Sequence, residues 1–460
     1  MKKEQKIYLL SILLFILAPF VLKGNSKNSD VFAERRDKLR SQVKEGIILI
    51  QSSERNQINL YEFFVPNSDN HDFIFLTGVE TPGATLILCP GSKDYSEILY
   101  IDGDLEELKL KTGIMNIYPT ANLIPDLSNA FTDYSLLRYT QLRFKPLPSE
   151  ISRILYSEGN DKIIYFNFPR FVNLEESPPK RLELIHRIQS FSPKYEIRDI
   201  SDYLDKLRMY HDKFGISQLR RAARISGEAM IESMKSVTPG MTEEQLRAVF
   251  NFASYFKGAK NFGFSTSIRS GPSRSVEHFP RDEQVLKAGD LVTIDAGAEI
   301  NFYSADIQRT FPVSGKFTEK QAEIYNILKR TQEICIDLVK PGVTMKQLQE
   351  AAIKALDEQG GYGKYFRWGT SHFLGMEVHD HGDNLIPFKP GICITVEPGL
   401  VLEEFTIVLE DDILCTEDGY EWLTQFVPRD IEDIERIMKE DGIGKVYFHR
   451  QVKQSSDEFK

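Results

Sequence analysis

Short apolar runs alternate with amphipathic segments through the first half of the chain. Runs rich in β-branched and large apolar residues are typical of strands, and apolar residues at helical spacing indicate helices. The predicted strands are "GIILIQSS", "DFIFLTGV", "ATLILCP", "EILYIDG" and "KIIYFNFP", and the predicted helices are "FAERRDKLRSQV" and "PKRLELIHRIQSF". This pattern predicts a mixed α/β domain over residues 29–205, with the charged helical segment "SDYLDKLRMYHDKFGISQLRRAARI" as a bridge into a second domain.

The second half contains an internal repeat, "VTPGMTEEQLRAVFNFASYFKGA" and "VKPGVTMKQLQEAAIKALDEQGG". In each copy a threonine precedes a glutamine by three residues, Thr242 with Gln245 and Thr344 with Gln347, which is typical of a capping box at a helix N-terminus. Each copy is followed by strand-rich sequence. The repeat therefore predicts two similar α/β halves related by a pseudo-two-fold axis, and ligand sites often form between such halves. The predicted boundaries are 206–430 for this domain and 431–460 for a C-terminal tail.

Two acids interrupt the apolar stretch "LVTIDAGAEINFYSADIQRT", namely Asp295 and Asp306. The segments "LVTID" and "FYSADIQRTFPV" are predicted strands with "EIN" as the turn, and their pairing would place the two aspartates opposite each other on one face. Burying an unpaired charge is costly. Two close carboxylates repel unless one is protonated or a cation lies between them. The pair therefore needs a compensating partner.

A second apolar hairpin, "GICITVEPGLVLEEFTIVLEDDIL", carries Glu397 and Glu410, each at the predicted end of a strand. His372 lies between the two hairpins in the Gly-flanked segment "WGTSHFLGMEVHDHGD". Four carboxylates and one imidazole form an oxygen-rich ligand set that can hold two divalent metals through shared carboxylates.

The composition narrows the class of protein. Of 460 residues, 41% are hydrophobic and 27% are charged, as in an ordinary soluble globular protein. The net charge of −10, without a basic stripe or zinc-finger cysteine spacing, predicts no nucleic-acid partner. The four cysteines are scattered and indicate buried thiols instead of a disulfide framework.

The N-terminus has a different pattern. A basic start is followed by an apolar run from Ile7 to Leu22 and then by the polar segment "KGNSKNSD". Such a run is short for a membrane span and is typical of a signal-peptide core. Residues 1–28 are therefore predicted to be a cleaved signal peptide, with an uncleaved N-terminal anchor as the alternative. The protein is accordingly predicted to be exported, as a periplasmic, secreted or membrane-anchored protein.

The motifs of the second half resemble the pita-bread metallopeptidases, which include methionine aminopeptidase, prolidase and aminopeptidase P. The matching motifs are "IDAG", "DIQRTFPVSGKFT", "SHFLG", "EVHD", "EPG" and "LEDDIL". The earlier segment "NSDNHDFIFLTGVETPGATLIL" resembles the domain that precedes the catalytic domain of aminopeptidase P. The resemblance implies an α/β (α+β) fold, with a mixed α/β N-terminal domain followed by a pseudo-two-fold pita-bread catalytic domain.

The resemblance also implies a metal centre. It places metal ligands at Asp295, Asp306, His372, Glu397 and Glu410, with Asp306 and Glu410 bridging two divalent ions. Manganese is the first choice, and cobalt, zinc and iron are alternatives. A hydroxide that bridges the two metals is the implied nucleophile.

Three residues resemble catalytic residues of the family. Glu397 matches its proton-transfer carboxylate. His379, in "EVHD", and His278, in "SVEHFP", match histidines that contact the substrate or the tetrahedral intermediate. A core histidine is the alternative interpretation of His379, and a surface histidine that of His278.

Two positions depart from the family pattern. The prolidase and aminopeptidase P branch usually has a histidine four residues before the ligand histidine, where this chain has Trp368. It usually has an arginine two residues before the last glutamate, where this chain has Val408. Strand alternation places Val408 on the same face as Glu410, so an apolar group replaces a cation beside the predicted site.

The resemblance therefore implies a dinuclear-metal aminopeptidase that removes the N-terminal residue of a peptide, with Xaa-Pro bonds as the expected substrates. One alternative is a prolidase-like dipeptidase. A second is a catalytically weak metal-binding or peptide-binding homologue, because of Trp368 and Val408. A creatinase-like hydrolase, which uses the fold without metal, is disfavoured by the five ligands. The implied partner is a peptide substrate, and the sequence leaves open a membrane tether through the N-terminal segment and a homo-oligomer.

Overall fold

The structure is a computed structural model that describes residues 26–52, 68–90, 96–131, 163–169, 180–271 and 284–449. The chain divides into two compact units, and the second begins at Arg208. The run from Ile7 to Leu22 lies outside the described residues. Among the helices that are described, none combines the length and the apolar character that a membrane span requires.

The first unit is built on a six-stranded mixed sheet with the strand order β4-β3-β2-β1-β5-β6. Its strands are β1 (Ile47–Gln51), β2 (Thr85–Leu88), β3 (Glu97–Tyr100), β4 (Ile117–Tyr118), β5 (Ile163–Phe166) and β6 (Glu196–Asp199). Its helices are α1 (Ser26–Gln42), α2 (Ser68–Thr77), α3 (Leu105–Thr112), α4 (Leu123–Phe131), α5 (Lys180–Phe191) and α6 (Ser201–Met209), the last of which leads into the second unit. Apolar side chains of the central strands pack against those of α5, as Leu49 and Phe166 do in one core with Ile185.

One strand prediction in this unit is wrong. The segment "DFIFLTGV" lies largely in helix α2, and the hydroxyl of Thr77 donates a hydrogen bond to the carbonyl of Phe73, 2.7 Å away. The helix ends at Gly78, which has a φ of +71°. All four side chains from Phe73 to Leu76 are buried. A short helical run that is buried on every side shows no polar face, so periodicity could not distinguish it from a buried strand.

The second unit combines long helices with antiparallel strands. Its helices are α7 (Lys213–Ser236), α8 (Glu243–Phe256), α9 (Glu319–Leu338), α10 (Met345–Glu358) and α11 (Ile431–Ile437). Its strands are β7 (Asn261–Phe262), β8 (Ser267–Ser270), β9 (Leu291–Ala296), β10 (Ala298–Ile300), β11 (Tyr303–Ser304), β12 (Ile307–Pro312), β13 (Cys393–Val396), β14 (Gly399–Val401), β15 (Thr406–Cys415) and β16 (Tyr420–Trp422).

The repeated sequence forms two helix pairs, α7 with α8 and α9 with α10. Both predicted capping boxes are present, at Thr242 before α8 and at Thr344 before α10. A third, at Thr318 before α9, was not predicted. The charged segment predicted as one helical bridge is two helices, α6 and α7, and the carboxylate of Asp212 caps the second of them.

The large sheet of this unit has the order β13-β15-β12-β9-β8, and β14 and β16 also pair with β15. The side chains of Ile294, Phe311 and Leu409, from three adjacent strands, are buried in one core with residues of the helices. Helix α11, in the segment that the sequence analysis assigns to a C-terminal tail, buries Ile434 in this same core.

Candidate metal centre

The hairpin that carries Asp295 and Asp306 differs from its predicted form. Asp295 pairs with Gln308, and Asp306 immediately precedes β12, so the two aspartates are diagonal neighbours on one face and not direct partners. The predicted second strand is divided, because β11 belongs to a separate three-stranded sheet with β10 and β7. The turn lies at Asn301 and Phe302, both with positive φ, so it overlaps the predicted turn "EIN" only at its last residue.

A glycine permits this division of the hairpin. The backbone of Gly297, between β9 and β10, lies so close to the carbonyl of Ala305 that a Cβ atom would overlap it. The sequence signal for this close approach is the glycine in "DAGAE". The result brings the carboxylate of Asp306 back beside that of Asp295, where burial and then the charge of Asp306 raise the pKa of Asp295.

Glu410, on β15, lies on the side of the sheet that carries Asp295 and Asp306. The sequence pattern predicts that a strand ends at Glu410, which is wrong, because β15 continues through Glu410 to Cys415. Gln308 pairs with Asp295 on one side and with Glu410 on the other, so three neighbouring strands bring these residues into one row. Because directly paired residues of a sheet share a face, both acids project toward the same side as Asp306.

His372 lies between the acids of the two hairpins. Its Nε2 atom is 3.5 Å from Oδ2 of Asp306, 3.4 Å from Oε1 of Glu397 and 3.9 Å from Oε1 of Glu410. Its Nδ1 atom lies 3.1 Å from the carbonyl oxygen of Phe373. That acceptor assigns the proton of the neutral ring to Nδ1, which leaves the lone pair of Nε2 directed at the carboxylates.

Glu397 follows β13 and is held to the segment that carries His372. The amide of Glu397 donates to the carbonyl of Thr370 at 2.8 Å, and the amide of Thr395 donates to the carbonyl of His372 at 3.0 Å. The hydroxyl of Thr395 lies 3.5 Å from Oε1 of Glu397 and accepts from the amide of His372. These bonds fix the two side chains relative to each other.

Burial changes the protonation of every member of the cluster. It raises the pKa of Asp306 to about 8, although hydrogen bonds with Glu410 and Asp295 oppose the rise. Burial, and then the charge of Asp306, raise the pKa values of Asp295, Glu397 and Glu410. Burial lowers the pKa of His372 to about 4, against backbone hydrogen bonds with Phe373 and Val378. Without a bound cation, burial therefore favours neutral carboxyl groups and a neutral imidazole in this cluster.

The donor set fits a divalent cation. One ligand atom each from Asp306, His372 and Glu410 lies within 4.8 Å of the other two. Oδ1 of Asp306 is buried and accepts no hydrogen bond from the described residues. An uncompensated buried carboxylate oxygen is costly, and a cation at this position would remove the cost. Glu397 and Asp295 adjoin this group through His372 and Asp306.

The two predicted histidines have different outcomes. His379 is exposed, and its ring centroid lies 4.3 Å from that of His372 at an interplanar angle of 76°. It is therefore beside the cluster, and the core interpretation of His379 is wrong. His278 lies outside the described residues, so its predicted role stays a prediction.

A second acidic cluster, formed by Glu377, Asp380 and His381, has the spacing of a metal site, but its carboxylates already have a cationic partner. Nη2 of Arg208 lies 2.9 Å from the carboxylate of Glu377 and 2.7 Å from that of Asp380, with all three side chains buried. The guanidinium already supplies the compensating charge. This ion pair holds the segment that carries His379, and nothing in the local sequence indicated it.

A further buried carboxylate, Asp412, supports the cluster. Its Oδ1 atom accepts a hydrogen bond from the amide of Asp306 at 3.1 Å. The neighbouring Asp411 accepts from Nη2 of Arg309 at 2.7 Å, and Nη1 of Arg309 donates to the carbonyl of Glu410 at 2.6 Å. None of Asp411, Asp412 and Arg309 is among the predicted site residues. The alternation of β15, which gives Asp412 the face of Glu410, was the available signal.

Comparison with known proteins supplies independent information. A family model described as "Metallopeptidase family M24" matches residues 217–417, and one described as "Aminopeptidase P, N-terminal domain" matches residues 32–124. The chain is 28% identical over 444 residues to the Xaa-Pro aminopeptidase of Escherichia coli, covering 88% of this chain and 97% of that protein. It is 33% identical over 247 residues to the Xaa-Pro dipeptidase of Pyrococcus furiosus, covering 52% of this chain and 70% of that protein.

The fold of the chain is also similar to that of a solved structure. A putative aminopeptidase P from Bacillus anthracis superposes with a TM-score of 0.77 at 26% identity, covering 91% of this chain and 100% of that one. The predicted fold class is thereby confirmed, with an N-terminal domain of the aminopeptidase P type before a pita-bread domain.

Proposed function

The chain belongs to metallopeptidase family M24, and from that membership we propose that it is a dinuclear-metal aminopeptidase that removes the N-terminal residue of peptides, with Xaa-Pro bonds as the expected substrates. The observation that carries the proposal is the convergence of Asp306, His372 and Glu410 within 4.8 Å, with a buried oxygen of Asp306 that has no partner among the described residues. Bound divalent cations would supply an acidified water as the nucleophile and would polarise the scissile carbonyl.

The residues of the cluster would bind the cations, transfer a proton and stabilise the developing charge on the substrate. Asp306 and Glu410, the two most buried acids of the group, would bridge the cations, and Asp295, His372 and Glu397 would complete the ligand set. Glu397 retains 18% exposure of its side chain, which suits a carboxylate that passes a proton to the leaving nitrogen. His379 is exposed beside His372 and would donate to the oxygen on which charge develops.

The oxygen-rich ligand set supports manganese as the first choice of metal, because carboxylates suit hard cations and a single imidazole adds little softness. Cobalt, zinc and iron stay alternatives. The direct test is metal analysis of the purified protein, followed by assays of the chelated and reloaded enzyme with each ion. We expect close to two ions per chain and activity that returns with manganese.

A second candidate is an Xaa-Pro dipeptidase, because a relative with that name matches the catalytic half. The aminopeptidase is favoured by the match of residues 32–124 to the aminopeptidase P N-terminal domain, and by the 97% coverage of the E. coli aminopeptidase. Tripeptides such as Ala-Pro-Ala and the dipeptide Ala-Pro separate the two. Faster cleavage of the tripeptide is expected, and a strict requirement for the dipeptide would establish the alternative.

We also propose that the protein is exported. The support is the basic start and the apolar run from Ile7 to Leu22. Fusion of residues 1–28 to a reporter that is active only outside the cytoplasm tests this. Lysine substitutions within the run should retain the reporter inside the cell, and unchanged export of that variant would contradict the proposal.

A further inference from the structure

Trp368 is held against the backbone that carries Glu397. The indole Nε1 donates a hydrogen bond to the carbonyl of Glu397 at 3.2 Å. Two residues later the carbonyl of Thr370 accepts from the amide of Glu397 at 2.8 Å. The indole is thus one of several contacts that join the His372 segment to the Glu397 segment, and its N–H already has an acceptor within the protein.

The indole also covers a glycine. A Cβ atom at Gly399 would overlap the benzo edge of Trp368, so the ring occupies the space on that side of β14. Gly399 pairs directly with Val408 of β15. Paired residues of antiparallel strands share a face, so the indole and the side chain of Val408 lie on the same side of the sheet. Val408 is in turn two residues from Glu410 and shares its face.

This apolar surface lies at the accessible side of the metal centre. His372 and Glu397 keep 19% and 18% of their side chains exposed, whereas Glu410 keeps 2%. Trp368 is itself only half-buried. A peptide that reaches the cluster past its exposed members therefore passes the indole. If Glu397 transfers a proton to the leaving nitrogen, the residue that owns this nitrogen lies beside Glu397, whose backbone carbonyl accepts the hydrogen bond from Trp368.

We propose that Trp368, with Val408 behind it, forms an apolar wall that selects the second residue of the peptide for apolar bulk and not strictly for proline. The inference rests on the proposed function for the orientation of the peptide. Neither wall residue offers a charge or a free donor to the substrate. Discrimination therefore comes from apolar contact, and leucine, valine and proline at the second position should all be accepted over glycine.

The chain offers a direct probe of this contact, because it contains two tryptophans. Trp422 lies elsewhere, under the guanidinium of Arg429. In the metal-loaded Trp422→Phe protein, Trp368 is the only source of indole emission. The ligands are two tripeptides with a reduced, non-hydrolysable first bond, Ala-Leu-Ala and Ala-Gly-Ala. The leucine analogue should shift the emission saturably and bind about tenfold to a hundredfold more tightly than the glycine analogue.

Hydrolysis supplies the second measurement. The ratio of kcat/KM for Ala-Leu-Ala to that for Ala-Gly-Ala should fall by about tenfold in Trp368→Ala. The ratio should hold in Trp368→Phe, which keeps an aromatic wall but loses the N–H donor. Metal content and thermal stability of each variant confirm that the centre has formed.

The outcomes separate the inference from the proposed function. Equal binding of the two analogues without a change in Trp368 emission, in a protein that hydrolyses peptides, overturns the wall and leaves the peptidase. Selective binding of the leucine analogue by a protein that hydrolyses no peptide supports the wall and overturns the peptidase. An unchanged leucine-to-glycine ratio in Trp368→Ala also overturns the wall.

Discussion

Nε2 of His372 lies 3.5 Å from Oδ2 of Asp306, and the hydrogen bond partner of Nδ1 leaves Nε2 without a proton. Two lone pairs therefore face each other in a site largely removed from water. Without a cation, the site is compatible with this geometry only if the carboxyl groups hold protons, as the raised pKa values of Asp306 and Glu410 indicate. Metal binding and carboxyl deprotonation are consequently coupled.

The first prediction concerns Asp306. Asp306→Ala removes a buried carboxylate that can share a cation with His372 and Glu410, so metal content should fall to one ion per chain or less and peptide hydrolysis should be lost. Metal analysis by mass spectrometry and an Xaa-Pro assay measure the two effects. Asp418→Ala, at an exposed acid, is the matched control and should retain both. Full occupancy in the Asp306 variant would remove the basis for the metal assignment.

The second prediction concerns pH and the metal-free protein. Asp306 has a pKa of about 8 in the folded protein and about 3.9 in an unfolded chain. The folded protein therefore keeps a proton that the unfolded chain has lost. The retained proton therefore contributes to the free energy of unfolding at low pH, and this contribution is lost as the pH rises toward 8. The slope is up to about 1.4 kcal/mol per pH unit for each such carboxyl.

Urea unfolding in the presence of chelator, between pH 6.5 and pH 8, measures this slope. The window excludes the opposite contribution of His372, whose pKa of about 4 makes stability rise with pH below the ordinary histidine value. Saturation with manganese should abolish the slope, because the cation then compensates the carboxylates. A chelated protein that becomes more stable across this window would contradict the protonation states described for the cluster.

The sequence was sufficient to predict that these acids lie together, but not which residues support them. Asp295, Asp306 and Glu410 could be recognised because acids within apolar strands are unusual and demand a partner. The register was predicted incorrectly by two positions, because the turn at Asn301 and Phe302 uses positive φ at two residues without the usual Gly signal. Local patterns do not contain such information.

The pattern of apolar and polar residues could not predict contacts between side chains that are far apart in sequence. Arg208 and Glu377 are 169 residues apart in sequence, and nothing near either residue predicts that they meet. The same is true of the hydrogen bond from the Trp368 indole to the Glu397 carbonyl, although the substitution at position 368 itself was visible. Periodicity predicts elements, whereas the contacts of a half-buried or fully buried polar group depend on how the elements pack.

The third prediction concerns that buried ion pair. Arg208→Met leaves the carboxylates of Glu377 and Asp380 buried without their cation, which should destabilise the protein by about 3–5 kcal/mol. The loss should also displace His379 and lower kcat. Arg220→Met is the matched control, because Arg220 pairs with Glu421 at a surface where 51% of its side chain is exposed. The control should cost about 0–1 kcal/mol. Chemical denaturation measures both, and equal losses would show that burial of the first pair is unimportant.

The last prediction concerns Val408 and Trp368 together. Arginine at position 408 would restore the cation that relatives of the aminopeptidase P branch usually carry. The structure indicates why Val408→Arg alone should fail. Val408 is 2% exposed, and its strand partner Gly399 is covered by the Trp368 indole. A guanidinium added there would be buried against the indole and would lower stability.

Val408→Arg combined with Trp368→His removes the indole benzo ring and opens that space. The restored charge-assisted hydrogen bond is worth roughly 1.5–3 kcal/mol, so kcat/KM for Xaa-Pro peptides should rise by about tenfold to a hundredfold over the unmodified enzyme. Preference for leucine over glycine at the second position should fall at the same time, because the apolar wall is gone.

The single variants and the double variant form a thermodynamic cycle, with metal supplied in excess to all four proteins. Simple additivity of their effects on kcat/KM would mean that the two positions act independently. A parent enzyme that already cleaves Xaa-Pro peptides at about 10⁶ M⁻¹s⁻¹, well within the usual enzyme range, would mean that another group performs the role of the missing arginine.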